Sequence, residues 1–188
     1  MIRFCLIFLL SATQLFSQTE KPTRVSLYLD FGAYFPQSNG YRRDFDRNSD
    51  FSTTFGFEIG QAPHFGFGER SGFRSTNRDQ FQKYAYDQVI IRLGYCRAIT
   101  LGRDIANLRL AIGPVLTSLR TSLGPTTTDG QFVRFGFFVR AGLERRVFQR
   151  LRVVGSISYD IVGKSPEDTY KSWGGANISG GLAVDIFK

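Results

Sequence analysis

Hydrophobic and polar residues alternate along most of the chain after its first twenty residues. Between Val133 and Leu143, for example, every odd position is apolar, while the even positions include Arg134, Gly136 and Arg140. Successive side chains of a strand point to opposite faces, so a period of two predicts strands with one apolar and one polar face. We predict no helix and eight strands: Val25–Phe35, Phe51–Gly60, His64–Phe73, Tyr86–Ile99, a fifth beginning at Leu108, Phe132–Val147, Leu151–Val162 and Ala176–Phe187.

Two of these strands carry irregular positions. In the third, Phe65 and Phe67 alternate with glycine as an apolar face, but Glu69 and Arg70 then blur the pattern. In the fifth, Pro114 cannot donate a ladder hydrogen bond, so we expect a β-bulge there.

The connections between the strands alternate in length. Segments 36–50, 74–85, 123–131 and 164–175 are long and polar, 61–63 and 148–150 are short, and 100–107 is intermediate. Strands of about ten residues suffice to cross a bilayer at a tilt. Short turns at one end and long loops at the other are typical of transmembrane barrels. We therefore predict an all-β fold: one eight-stranded antiparallel up-and-down transmembrane β-barrel.

A soluble lipocalin-like barrel also alternates, with a charged exterior and an apolar interior. The polar faces here decide between the two, because they are rich in Gly, Ser and Thr and carry few charges. A soluble exterior normally carries many lysines and glutamates. All five lysines lie outside the strand cores: Lys21, Lys83, Lys164, Lys171 and Lys188. The small polar face suits a crowded lumen, and the apolar face is expected to meet lipid.

The N-terminus has the layout of a secretory signal peptide, with Arg3 before an apolar stretch and a more polar segment ending at Ser17. We predict cleavage after Ser17, which gives a signal peptide at 1–17 and a barrel domain at 18–188. Cys5 lies inside the apolar stretch, so lipidation is not expected. Cleavage would leave Cys96 as the one cysteine, which rules out an internal disulfide. The formal charge of the whole chain is +8.

An exported chain with eight such strands resembles the small OmpA- and OmpX-type outer-membrane barrels, and is similar to the PorT-type barrels of about 200 residues. The resemblance covers Val25 to Phe187 and rests on pattern rather than on a motif. It implies the bacterial outer membrane and an accessory role in secretion. The last strand resembles the insertion signal of this class, although Phe187 is out of phase with Leu182, Val184 and Ile186, and Lys188 follows it.

Ten charged residues are predicted to point into the lumen. Five are basic and five acidic: Arg92, Arg109, Arg134, Arg140, Arg152, Asp30, Glu58, Glu144, Asp160 and Asp185. Unpaired ions in a narrow lumen cost several kcal/mol, so ion pairs are expected. With the N-terminus in the periplasm, six of them gather in the periplasmic half: Arg109, Arg140, Arg152, Glu58, Glu144 and Asp185. Asp30 and Arg92 come near mid-height. A salt-bridged plug is favoured over an ion path, because eight strands leave room for little besides side chains.

No catalytic constellation is expected. The single histidine, His64, falls in a periplasmic turn, away from any outer-rim serine, and no metal-ligand spacing occurs, so we expect no cofactor and no metal. Cys96 is expected to be a small packing residue. Nucleic acid is not an expected partner. Five basic residues crowd the periplasmic end and are expected to contact lipid phosphates or a periplasmic protein: Arg97, Arg103, Arg145, Arg146 and Arg150.

The aromatic residues near the loop ends of the strands are interpreted as an interfacial girdle. They are Tyr34, Phe35, Phe51, Tyr84, Tyr86 and Phe132. The long loops mix charged and aromatic residues, among them Tyr41, Phe45, Tyr170 and Trp173, and either bind partners or act as solvated caps. The function predicted is a non-enzymatic structural or accessory subunit of an outer-membrane assembly, whose partners are membrane lipid and other outer-membrane or periplasmic proteins. The alternative is a narrow, porin-like channel.

Overall fold

The computed structural model describes residues 23–38, 41–42, 45, 48–77, 82–123, 126–163 and 174–187. The predicted signal peptide, its cleavage site and the loop residues Tyr170 and Trp173 lie outside these ranges.

Eight strands form in the described residues, at the places where the alternation predicts them. They are β1 (Arg24–Pro36), β2 (Asp50–Gln61), β3 (His64–Thr76), β4 (Gln82–Leu101), β5 (Asp104–Leu123), β6 (Thr126–Arg146), β7 (Leu151–Val162) and β8 (Gly175–Phe187). The predicted bounds of β7 are those of the structure. β4 and β6 extend further than predicted at the long-loop side, because backbone pairing continues past the point where the apolar alternation stops. β5 begins at Asp104, four residues before the predicted Leu108.

Each strand pairs antiparallel with the next, and β1 pairs with β8, so the sheet closes into an up-and-down barrel. We call the end of the barrel with the short connections, residues 62–63, 102–103 and 147–150, the turn end. β1 begins there at Arg24, and β8 ends there at Phe187. The opposite end, the loop end, holds the longer connections. Within the described residues, no helix is long and apolar enough to cross a membrane.

The exterior of the barrel is apolar on most strands. Outward positions carry large exposed side chains such as Phe55, Leu93, Ile112, Phe135 and Ile157. Inward positions carry small, polar or charged residues, as β2 illustrates with its strict alternation of exposed and buried positions. An apolar exterior is unfavourable in water and suits lipid. The closed ring meets the second requirement of a membrane barrel, because no strand edge is left with unpaired backbone groups.

The third strand reverses this arrangement. Phe65, Phe67 and Phe73 point inward and are buried, so the expectation that the phenylalanine face of β3 meets lipid is wrong. Glu69 shares their face, and Arg70 is exposed on the other. The physical reason is that aromatic rings are needed inside the barrel, where Phe67 lies beside the Arg109 guanidinium.

The bulge expected at Pro114 does not form. Leu116 pairs with Val133 and Ile112 with Phe137, so the register between β5 and β6 is the same on both sides of the proline. A shift occurs instead between β1 and β8, where Val25 pairs with Phe187 but Ser26 pairs with Asp185. The extra residue restores Phe187 to the exterior, where 66% of it is exposed, although it is out of phase with the strand before it.

Candidate functional site in the barrel lumen

The structure buries nine of the ten predicted lumen charges against one another. These are Asp30, Glu58, Arg92, Arg109, Arg140, Glu144, Arg152, Asp160 and Asp185. The tenth, Arg134, is only half-buried. It donates to the carbonyl of Val133 at 3.1 Å and stands over the ring of Phe132. The nine buried residues divide into two layers with different partners.

The turn-end layer is built around Arg152, the largest fully buried side chain. Its guanidinium contacts Glu144, Asp185 at 2.9 Å and Glu58 at 3.8 Å. Arg109 contacts Glu58 and lies 3.4 Å from Glu144. The carboxylates are therefore shared between arginines, which suits the planar fork of the guanidinium.

A further arginine completes this layer. Arg24, at the start of β1, lies 3.2 Å from Glu58 and 3.9 Å from Asp185. The alternation did not place Arg24 in a strand, so it was missed as a lumen charge. The turn-end layer thus contains three arginines and three carboxylates among the described residues.

The mid-height layer is organised by Glu69. Arg92 donates to it at 2.9 Å and Arg140 at 3.0 Å, while the Tyr28 hydroxyl donates at 2.7 Å. The other ends of the two arginines contact Asp160 and Asp30 respectively. Glu69 was not predicted as a lumen residue, because the irregular pattern of β3 hid which face it occupies. The face it shares with Ser71 is the signal that indicates the lumen, whereas Phe67 on the same face was expected to meet lipid.

Arg140 corrects the predicted heights. It was expected in the periplasmic half, but its side chain joins the mid-height layer through Asp30 and Glu69 and donates to Ser156 at 2.9 Å. Both layers together hold five arginines and six carboxylates among the described residues, whereas the prediction was five of each. The extra carboxylate belongs to the mid-height layer, which has two arginines and three carboxylates.

Tyr28 lies between the two layers. Arg109 stands 4.6 Å and Arg140 5.7 Å from its ring centroid, and its hydroxyl reaches Glu69. Cations over aromatic faces gain attraction without a carboxylate partner. Gly56 makes room for this ring, because a Cβ at that position would overlap it.

Aromatic side chains fill the loop end of the lumen. Tyr34 stacks on Phe73 at 4.4 Å between ring centroids, and Tyr41 stacks on Phe45 at 4.6 Å. Tyr86 makes an edge contact with Tyr41 at 5.3 Å, and the Tyr41 hydroxyl donates to Asp50. We call these five rings the mouth cluster.

The mouth cluster overturns two interpretations. Tyr34 and Tyr86 are buried inside the barrel and are not girdle residues, because they share the inward faces of β1 and β4. Phe132 also packs against the interior, Phe35 is half-buried, and Phe51 is exposed on the outside. The side chain of Tyr84 lies outside the described part of the structure. Tyr41 and Phe45, expected on a partner-binding or solvated loop, fold back into the mouth and are buried.

The remaining candidate residues lie outside the network of charges. His64 begins β3 at the turn end, exposed, and bonds to the Tyr95 hydroxyl. Cys96 is free and buried on the inward face of β4. No group of three or more histidine, cysteine, aspartate or glutamate side chains that could hold a metal ion occurs in the described part of the chain.

The five basic residues of the turn end are exposed, but they are not equivalent. Arg145 is paired with Asp104 through contacts of 2.7 and 2.9 Å. Arg97, Arg103, Arg146 and Arg150 present their side chains to the exterior at that end.

Comparison with known proteins identifies the fold. The barrel resembles Neisserial surface protein A (NspA), with a TM-score of 0.62 and 12% identity over 87% of this chain and 97% of that one. It also resembles Ail, the attachment invasion locus protein of Yersinia pestis, with a TM-score of 0.58 and 9% identity over 89% and 99% of the two chains. The N-terminal barrel of Pseudomonas aeruginosa OprF superimposes with a TM-score of 0.50 and 10% identity over 88% and 100%.

No family model matches the sequence, and no curated protein matches it significantly. The likeness therefore concerns the fold, which is that of the small eight-stranded outer-membrane β-barrels. This confirms the predicted fold class. Together with the apolar exterior, it defines an integral barrel of the bacterial outer-membrane type.

Proposed function

We propose that the protein is a non-conducting, non-enzymatic outer-membrane barrel that acts as a structural or accessory subunit of an outer-membrane assembly. The observation that carries this proposal is the filling of the lumen. Two layers of paired charges and the mouth cluster occupy it at three successive heights. A pore needs a water-filled path lined by groups that ions can exchange with, whereas here the ionic groups bind each other.

The lumen chemistry supports a structural role. Removing ions from water costs several kcal/mol each, and close pairing with shared hydrogen bonds offsets that cost. The shared carboxylates join opposite walls of the barrel: Glu69 on β3 contacts Arg140 on β6, and Glu58 on β2 contacts Arg109 on β5. The network therefore acts as internal bracing.

The geometry around the single histidine supports a non-enzymatic role. His64 stands at the turn end with Tyr95 as its partner, and the serines of the mid-height layer, Ser71 and Ser156, bond to arginines instead. Activation of a serine requires a base within hydrogen-bond reach. Among the described residues His64 bonds to no serine, and Ser26, which donates to Asp185 at 2.8 Å, faces a carboxylate already held by Arg152.

Two arguments support the assembly role. The filled lumen and the placement of His64 argue against transport and catalysis, and the resemblance to PorT-type barrels implies an accessory role in secretion. The exposed arginines at the turn end favour anionic groups: we propose that Arg97, Arg103, Arg146 and Arg150 contact lipid phosphates at the periplasmic surface. Arg145, already bonded to Asp104, contributes less.

A narrow channel is the second candidate, and one observation favours it. One carboxylate oxygen each of Asp30 and Asp160 is buried in the lumen and accepts no hydrogen bond from the described residues. Such oxygens could bind a passing cation or water.

Gentle detergent extraction of the tagged protein from native outer membranes tests the proposal. After gel filtration, every protein in the peak is identified. Co-elution of other membrane proteins in fixed stoichiometry is the expected result. Elution as a lone, heat-modifiable monomer would contradict the assembly role.

A further inference from the structure

The outward face of β3 differs from the rest of the exterior. Its neighbours on β2 and β4 present Phe55, Phe57, Ile91 and Leu93 to the outside. The outward positions of β3 hold small or basic residues: His64, Gly66, Gly68, Arg70, Gly72 and Arg74. A strand in the apolar belt therefore exposes positive charge where its neighbours expose rings and branched side chains.

Arg70 occupies the middle of this face. It stands six residues from His64 and six from Thr76, the two ends of β3. Its cross-strand neighbours are Phe55 and Ile91, both exposed apolar residues. Among the described residues, Arg70 makes no hydrogen bond or ion pair. An arginine that faces lipid is most costly at mid-depth, so an unpaired one at this height indicates a missing partner.

The described residues of this chain offer Arg70 no unpaired carboxylate on the exterior. The described carboxylates outside the lumen are Asp87, Asp104 and Asp129, and each is already paired, with Arg74 at 3.4 Å, Arg145 at 2.7 Å and Arg120 at 2.8 Å. A second copy of the chain would bring a second Arg70 and, among its described residues, the same paired exterior carboxylates. Lipid phosphates lie at the two membrane surfaces, whereas Arg70 stands at the middle of β3, six residues from either end. Charge complementarity therefore favours a carboxylate from a different membrane protein.

The surface beside Arg70 is uneven. On the turn-end side, Phe57 and Leu93 cover Gly68. Towards the loop end, Gly72 lies in a groove of about 370 Å³ whose sides include Phe51 and Val89. Small residues let a neighbouring backbone approach closely within a membrane. A partner segment seated here would bring its own side chains within reach of Arg70.

We propose that the outward face of β3, centred on Arg70, is the contact surface for a membrane-spanning segment of a different outer-membrane protein that presents Asp or Glu at mid-depth. The pair would form in a low-dielectric environment, where the attraction of opposite charges is strong. This inference rests on the proposed assembly role and assigns that role a surface and a partner chemistry.

Photo-crosslinking in native outer membranes tests the surface. A photoreactive amino acid replaces Ile91, the neighbour of Arg70, and in a matched control replaces Ile157, an exposed mid-strand isoleucine on β7. We expect position 91 to give one adduct whose crosslinked peptide lies in a membrane-spanning segment containing Asp or Glu. We expect position 157 to give at least tenfold less of it.

Arg70→Leu then separates recognition from folding. Leucine suits the lipid-facing surface, so the variant should keep its heat-modifiable folded form while the adduct from position 91 falls at least tenfold. Arg70→Glu combined with replacement of the partner's acidic residue by lysine should restore the adduct from position 91. Adducts with lipid alone, equal yields at 91 and 157, or an unchanged yield in Arg70→Leu would overturn the proposal.

The outcome is distinguishable from that of the assembly role itself. If partners co-elute in the extraction experiment but Arg70→Leu leaves them bound, the assembly stands and this surface is not its contact. If nothing co-elutes and position 91 captures only lipid, both proposals fail.

Discussion

Nη1 of Arg140 lies 3.0 Å from Oε2 of Glu69, although the two residues stand on β6 and β3, three strands apart around the ring. This contact spans the lumen and does not follow the sheet. The second branch of the same guanidinium reaches Asp30 on β1. One side chain thus connects three walls of the barrel, and we expect it to stabilise the closed lumen.

Replacing Arg140 by alanine should therefore destabilise the barrel. The variant leaves Asp30 buried without an arginine and removes one of the two from Glu69, and breaking a buried pair in this way costs about 3–5 kcal/mol. The free energy of unfolding is measured by urea titration in lipid vesicles. Arg120→Ala, which removes a solvent-exposed pair with Asp129, is the matched control and should change little. Equal effects of the two variants would contradict the bracing role.

The unequal charges of the mid-height layer predict an asymmetry between acid and base. Glu69→Gln leaves two arginines with two carboxylates and should cost about 1–3 kcal/mol through weakened hydrogen bonds. Arg92→Gln leaves three carboxylates with one arginine and should cost about 3–5 kcal/mol. The same urea titration ranks them. A larger loss in Glu69→Gln than in Arg92→Gln would show that the extra carboxylate is not charged in the folded protein.

Gly56 should resist even a methyl group. A Cβ there would overlap the Tyr28 ring, so Gly56→Ala forces the ring away from Glu69 and Arg109 and should cost about 1–3 kcal/mol. Gly155 is the control, because a Cβ at that outward position has open space around it. Gly155→Ala should leave the free energy of unfolding unchanged or slightly raised. A tolerated Gly56→Ala would mean that Tyr28 is free to move.

Cys96 offers a report on the closure of the lumen. Its side chain is 1% exposed, so a bulky water-soluble maleimide should label it only when the barrel unfolds. In protein lacking residues 1–17, labelling of Cys96 is compared with labelling of the cysteine introduced by Arg150→Cys at an exposed position. We expect the introduced cysteine to react at least a hundredfold faster. Comparable rates in the folded protein would show that solvent enters the lumen from the turn end.

The alternation of residue types was sufficient for the fold, and it also placed most of the lumen charges. Asp30, Arg92 and Asp160 fall on faces shared with small residues, so a period of two assigns them to the interior. It failed on β3, because Phe65 and Phe67 are apolar residues that the interior uses to cover arginines. Hydrophobicity alone cannot tell a ring that faces lipid from one that faces a guanidinium.

Contacts across the lumen were beyond the sequence for a different reason. The length of an arginine side chain lets Arg140 reach the mid-height layer from a position paired with Arg109 of the turn-end layer. The folding of Tyr41 and Phe45 into the mouth depends on the rings of Tyr34, Phe73 and Tyr86, which come from three strands. Such contacts depend on the closed barrel and not on any local pattern.

Single-channel recording on the purified protein in planar lipid bilayers tests the filled lumen most directly. Insertion is verified first by the heat-modifiable shift of protein recovered from the same bilayer lipid. If the lumen is filled as described, we expect a flat baseline at moderate voltage. Reproducible conductance steps whose size changes in Arg92→Gln or Asp30→Asn would contradict it and establish the lumen as a channel.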